Sequence, residues 1–276
     1  MGTADTEPPA VRRRSRLGRW VVAHPPAAYV VLAYVLSWGY WVPLALAGQT
    51  VEAGVGRPSQ LPGLLGPLVA AVVITALVDG RAGLADLGRR MTRWRVGWWW
   101  LSVVAVLAVG AVGLVVVGGP PDAADLTLYS GIDAAAGPLL TVVLALVVNG
   151  LGEETGWRGF LADRLLRRHG LTATALLVAA VWAPWHAPLF VVMASFSGFT
   201  VPEVLGWVIG LTAGSVVLTW LYRGSAGSIL LVAVWHIAFN LTSGTPGTAG
   251  TVAAISSTVV MVAAVVVVVA DRRRRR

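Results

Sequence analysis

The sequence predicts an all-α, polytopic transmembrane bundle of about eight spans, and three observations carry that expectation. The 276-residue chain is 57% hydrophobic and only 12% charged, with a mean hydropathy of +0.75. Soluble domains carry roughly 25% charged residues. Apolar runs recur along the chain at about the 20 residues a helix needs to cross a bilayer. All 21 basic residues are arginine, and all but Arg57 fall on alternate connectors between those runs. By the positive-inside rule the arginine-bearing face is cytoplasmic, which puts both termini there.

Residues 1–26 open with "MGTADTEPPAVRRRSR" and form a basic cytoplasmic tail: the apolar stretch that follows is long, and no A-x-A site ends it. The spans then run over 27–47, 61–78, 97–117, 137–160, 171–190, 201–222, 227–242 and 252–270. Arg81 to Arg95 joins the second to the third, and "WRVGWWW" reads as an interfacial aromatic belt at the start of the third. Arg158 to Arg168 joins the fourth to the fifth, Arg223 follows the sixth, and residues 271–276, "DRRRRR", are a second cytoplasmic tail. The opposite connectors hold Glu52, Arg57, Asp122, Asp125, Asp133 and Glu203. Residues 27–270 therefore make one transmembrane domain, with no polar block long enough for a soluble one.

The absence of cysteine excludes disulfides, thiolate metal sites and thiol nucleophiles. The net charge of +8 does not indicate nucleic acid, because the arginines lie beside apolar spans where they set topology. Arginine without lysine, with excess Ala, Val and Gly, points to a high-GC bacterium and hence to its inner membrane. The partners expected are the lipid bilayer and a membrane peptide or protein; the oligomeric state is not encoded in any visible pattern.

Ionisable groups within spans are costly and mark function. Here they are Glu153, Glu154, Arg158, His186 and His236, with Asn240 beside them. If spans four and five form a hairpin turning at His169 and Gly170, Glu153 and His186 both lie roughly 24 Å from the turn. A fourth helix continued into the cytoplasm places them at one level, in the cytoplasmic half of the membrane. From a second turn near Gly224, His236 lies roughly 18 Å and Asn240 roughly 24 Å away, so all four approach one depth. Glu154 and Arg158 stand at i and i+4, the spacing of a helix ion pair. Glu153 has Trp157 at i+4 and is left as the candidate general base acting on water. His186 sits in "WAPWHAPLF" between two prolines, and broken helix at membrane depth lines a cavity or other protein. His236 and Asn240 share a face that suits either an oxyanion site or a pair of metal ligands. His24 and His169 are loop or interface residues.

Other hydrolytic patterns fail. There is no H-E-x-x-H zinc helix, "RGSAGS" lies in a cytoplasmic connector, and "GLGEE" has no mid-membrane Asp to pair with. "EETGWR", "WAPWH" and "HIAFN", in that order on separate spans, resemble the E-E-x-x-x-R, F-x-x-x-H and H-x-x-x-N motifs of the CPBP family of intramembrane endopeptidases. That family includes the CAAX prenyl endopeptidases and bacterial Abi proteins linked to bacteriocin self-immunity. The resemblance covers about Leu61 to Asn240. It implies an endopeptidase acting on a membrane-associated or lipidated peptide, in which Glu153 activates water with His186 while His236 and Asn240 stabilise the oxyanion. Glu154 and Arg158 would support them. Trp182 stands where the family often has Phe, and is expected to act in packing alone. The family has been described both as metalloprotease and as metal-free glutamate protease. No cofactor is favoured, and zinc on Glu153, His186 and His236 is the alternative. A non-catalytic immunity or scaffold protein is the competing function.

Overall fold

The computed structural model describes residues 15–117 and 122–274, and every regular element among them is helical. In chain order these are α1 (Arg16–Ala23), α2 (Pro25–Leu46), α3 (Leu61–Val78), α4 (Gly80–Met91), α5 (Gly97–Val116), α6 (Ala134–Leu166), α7 (Leu171–Trp185), α8 (Leu189–Val192), α9 (Val201–Gly224), α10 (Ile229–Ser243) and α11 (Thr251–Arg273). Six of them, α2, α3, α5, α6, α9 and α11, are long and apolar enough to cross a membrane. The apolar helices α7 and α10 are 15 residues each, about 22 Å, short of a hydrocarbon core about 30 Å thick. All eight apolar segments match runs seen in the sequence. Two helices were not anticipated there: α1 lies inside the basic tail, and the amphipathic α4 occupies the second connector. The first 14 residues of that tail, and Arg275 and Arg276 of the other, lie outside the described residues.

The connectors sort to two ends. At the arginine-poor end, the loops after α2, α5, α8 and α10 are cross-bonded. Val51 N–H donates to Val192 O at 2.7 Å, Gly131 N–H to Glu52 O at 3.1 Å and Gly247 N–H to Asp125 O at 3.1 Å. At the other end Arg164 pairs with Asp79, Arg90 with Asp163 at 3.3 Å, and Arg223 with Asp271 at 3.8 Å. Thr172 Oγ1 also donates to Asp271, at 3.0 Å. Charge patterning along the sequence thus anticipated which connectors meet.

Helix α6 is the axle of the bundle. Residues 152–162 are buried without a break, so this stretch has no lipid-facing side. Close approach needs small residues there. A Cβ at Gly156 would stand 2.3 Å from the Tyr29 hydroxyl and 2.6 Å from Pro67 Cβ, so only glycine lets α2 and α3 press against the acidic turn. Two π-helical stretches, Ala145–Leu151 and Trp157–Ala162, flank that turn. Such wide turns recur at functional sites. They advance less per residue than an α-helix, and this alters the depth of Glu153.

Candidate active site

The local sequence around His186 explains its orientation. Pro184 and Pro188 lack the N–H that would extend the α-helical ladder, and the chain tightens: His186 N–H bonds Ala183 O at 3.2 Å and Ala187 N–H bonds Pro184 O at 3.0 Å. The Trp182 and Trp185 carbonyls are thereby released. His186 Nδ1 donates to Trp182 O at 2.8 Å, and Trp38 Nε1 donates to Trp185 O at 2.9 Å. The carbonyl acceptor puts the hydrogen on Nδ1, so Nε2 carries the free lone pair. Trp207 of α9 stands edge-on to the ring at 5.0 Å.

Glu153 is 2% exposed, and Glu154 and Arg158 are fully buried. Arg158 Nη1 donates to Glu154 Oε1 at 2.8 Å, which realises the expected i, i+4 pair. The same oxygen accepts from His236 Nδ1 at 2.8 Å, fixing that ring as well with Nε2 turned away. Glu154 is therefore a bridge between α6 and α10 rather than a counterion alone. Arg158, read from the sequence as a polar group at the end of the fourth span and the start of the connector, lies inside the bundle, its guanidinium 4.3 Å over the Trp182 ring.

The oxygens of Glu153 are held from both sides: Asn149 Nδ2 donates to Oε1 at 2.5 Å and Trp182 Nε1 donates to Oε2 at 2.8 Å. Trp182 thus does more than pack; its indole N–H, which phenylalanine lacks, binds the carboxylate. It also stands edge-on to His236 at 5.8 Å and tilted against His186 at 5.7 Å. Asn240 Nδ2 donates to Asn149 Oδ1 and to the Tyr129 hydroxyl, both at 3.1 Å. Through Trp182 and Asn149, the four residues singled out in the sequence, Glu153, His186, His236 and Asn240, join one network. His24 and His169 are not in it: His24 caps α1, and His169 lies in the α6–α7 turn.

Depth differs from the straight-helix count. Glu153 bonds the indole of Trp182, which stands one turn before His186 in the sequence. His236 lies about 11 Å from the start of α10 and His186 about 22 Å from the start of α7. Trp207, level with His186, is about 9 Å from the arginine-poor end of α9. The cluster straddles the middle of the bundle and is reached by Tyr129 from the arginine-poor end. It is not confined to the arginine-rich half.

Sequence reasoning missed Asn149, Trp182 and Tyr129 as partners. A polar Asn inside "LALVVNGLG", four residues before Glu153, was a visible signal. Tyr129, in a loop, offered none.

A zinc ion needs three protein ligands with free lone pairs converging. Among the described residues no group of three or more His, Asp or Glu is gathered in that way. Glu153 accepts an N–H on each oxygen, and the Nδ1 atoms of both histidines are committed. The free Nε2 of His186 and of His236 and the remaining lone pairs of Glu153 are the atoms that would hold a zinc ion, with each Nδ1 bonded to a carbonyl or carboxylate behind it.

Beside His186, a cavity of about 760 Å³ opens between α7 and α9, lined by Ala179, Ala183, Phe190, Phe196, Phe199 and Trp207 among others. It is almost wholly apolar and lies towards the arginine-poor end.

Comparison with known proteins agrees with the motifs. Residues 135–242 match the family model of Type II CAAX prenyl endopeptidase Rce1-like proteins. The chain is also 23% identical over 224 residues to CAAX prenyl protease 2 of Methanococcus maripaludis, covering 78% of this chain and 83% of that protein. Every residue of the three ordered motifs falls within the matched region, and on these grounds the chain is a multi-pass intramembrane protease similar to the CAAX prenyl endopeptidases.

Proposed function

We propose that the chain hydrolyses a peptide bond in a membrane-associated or lipidated peptide, using water activated by Glu153 and His186. The single observation that carries this is the joining of Glu153, His186, His236 and Asn240, from three helices, around Trp182 and Asn149. Each Glu153 oxygen keeps a lone pair beyond the N–H it accepts, and His186 Nε2 offers another acceptor, so a water between them has two places to give a proton. Its oxygen attacks the scissile carbonyl carbon while Glu153 takes the proton. Glu153 then returns that proton to the departing amine as the C–N bond breaks, leaving a carboxylic acid and an amine, which become carboxylate and ammonium once the acid's proton passes to the amine. His236, held by Glu154 at Nδ1, presents Nε2–H to the oxyanion when both ring nitrogens carry hydrogen. With that imidazolium, the buried charges of Glu153, Glu154, Arg158 and His236 sum to zero. Asn240 contributes a second donor by yielding one of its two 3.1 Å bonds.

In this reading residues 27–270 form one protease domain of a bacterial inner membrane, with 1–26 and 271–276 as cytoplasmic tails and the arginine-rich end inside. The apolar cavity between α7 and α9 receives the substrate's apolar portion next to His186. The likeness to a CAAX prenyl protease makes a farnesylated, internally quenched CAAX peptide in liposomes the natural probe. Ala183→Phe, which fills the cavity, is expected to raise KM about 10-fold or more with kcat within a factor of two, since one lost apolar contact set is worth about 1–3 kcal/mol. An unchanged KM removes the cavity from the substrate's path. His186→Ala and His236→Ala, folded and fully active, would remove the reading itself.

A further inference from the structure

We infer that Asn149 is the positioning residue of Glu153, and that Tyr129, reaching in from the loop before α6, locks it in place. The inference rests on Glu153 acting as the base. A side-chain amide has an oxygen end and a nitrogen end of nearly equal shape, and only its partners decide which way it lies. At Asn149 the oxygen end faces two donors, the Tyr129 hydroxyl and Asn240 Nδ2 at 3.1 Å. The nitrogen end faces the Glu153 carboxylate at 2.5 Å. Turning the amide over would set its oxygen against a carboxylate and its N–H groups against Asn240 Nδ2, and would leave the hydrogen of the Tyr129 hydroxyl, which already accepts from Asn240, without its acceptor. The hydroxyl of Tyr129, by donating to Asn149 Oδ1, thus helps to keep an N–H aimed at the base.

That hydroxyl is itself fixed. Tyr129 O accepts from Gly54 N–H at 3.2 Å, and Ser130 O from Gln60 Nε2 at 2.8 Å, so the cross-bonded cap holds the ring over the site. Burial pushes the Tyr129 phenol above its usual range, which keeps its proton on through any working pH. Asn149 is 6% exposed, and its neighbour Gly150 lies 3.0 Å, by a built Cβ, from Ala233 O of α10. The amide is thus buried where α6 and α10 pack closely. One residue couples the base on α6 to the oxyanion donor on α10, and a loop hydroxyl helps to set its direction.

The test is a double-mutant cycle on the farnesylated quenched peptide, with Tyr129→Phe, Asn149→Ala, the double variant and Glu153→Gln measured at equal folded concentration. Tyr129→Phe is expected to lower kcat about 3- to 10-fold, the effect of one buried hydrogen bond, with KM unchanged. Asn149→Ala is expected to lose at least as much. Because Tyr129 acts through Asn149, adding Tyr129→Phe to Asn149→Ala should change kcat by less than about two-fold, a departure from additivity typical of one network. Asn149→Leu, which keeps the volume, replaces Asn149→Ala if folded yield falls. Effects that multiply in the double variant, or a Tyr129→Phe protein that melts earlier yet turns over normally, would overturn the inference. An active Glu153→Gln defeats the catalytic reading as a whole; an inactive one with multiplying single effects defeats only the lock.

Discussion

Glu153→Gln is expected to lower turnover of the farnesylated peptide by about 100- to 10,000-fold, the contribution of a positioned general base. The substitution keeps size and one acceptor but removes the proton-accepting charge. It is not silent for the fold. Both oxygens of Glu153 receive N–H donors, from Asn149 at 2.5 Å and Trp182 at 2.8 Å, so an amide nitrogen at either position faces a donor. A stability loss of about 1–3 kcal/mol should accompany the loss of activity. Kinetics must therefore be normalised to folded protein, measured by its melting curve in the same detergent. Turnover within ten-fold of wild type in such a measurement would place the base elsewhere.

The second large effect is structural. Glu154→Gln should destabilise the protein by about 3–5 kcal/mol, because it leaves the fully buried Arg158 without its countercharge. It also takes the carboxylate from His236 Nδ1, so activity falls with stability. The distinguishing variant is Glu154→Gln combined with Arg158→Met. Removing both members of a buried pair costs far less than removing one, so the double variant should be more stable than Glu154→Gln alone while remaining poorly active. Unfolding free energies in micelles read this directly. A double variant less stable than the single one would show that Arg158 holds the fold by its length or its place over Trp182 rather than by charge.

The helical segments and their ends were legible because a bilayer imposes a length and arginines impose a direction, and both are one-dimensional signals. So were the members of the candidate site: Glu153, Glu154, Arg158, His186, His236 and Asn240 are polar where polarity is costly. Three features were not. The π turns beside Glu153 follow from how α6 packs against its neighbours, and a uniform rise per residue passes over them. The indole N–H of Trp182 was hidden because tryptophan in an apolar span reads as filling, although the residue binds Glu153. Tyr129 lies 24 residues before Glu153 in a polar loop, and only the cross-bonding of the cap to Glu52, Gly54 and Gln60 carries it to Asn149. Glu154 was half legible. Its i+4 partner could be counted along the helix, whereas the bond to His236 joins elements 82 positions apart.

The central claim is that these side chains make a working hydrolase. Its most direct measurement is single-turnover cleavage of the farnesylated quenched peptide by exhaustively chelated wild-type protein in liposomes, with both products weighed by mass spectrometry. The account expects cleavage at the undiminished wild-type rate, giving two fragments whose masses sum to that of the peptide plus one water. No cleavage, or cleavage lost on chelation and restored by stoichiometric zinc, would contradict it.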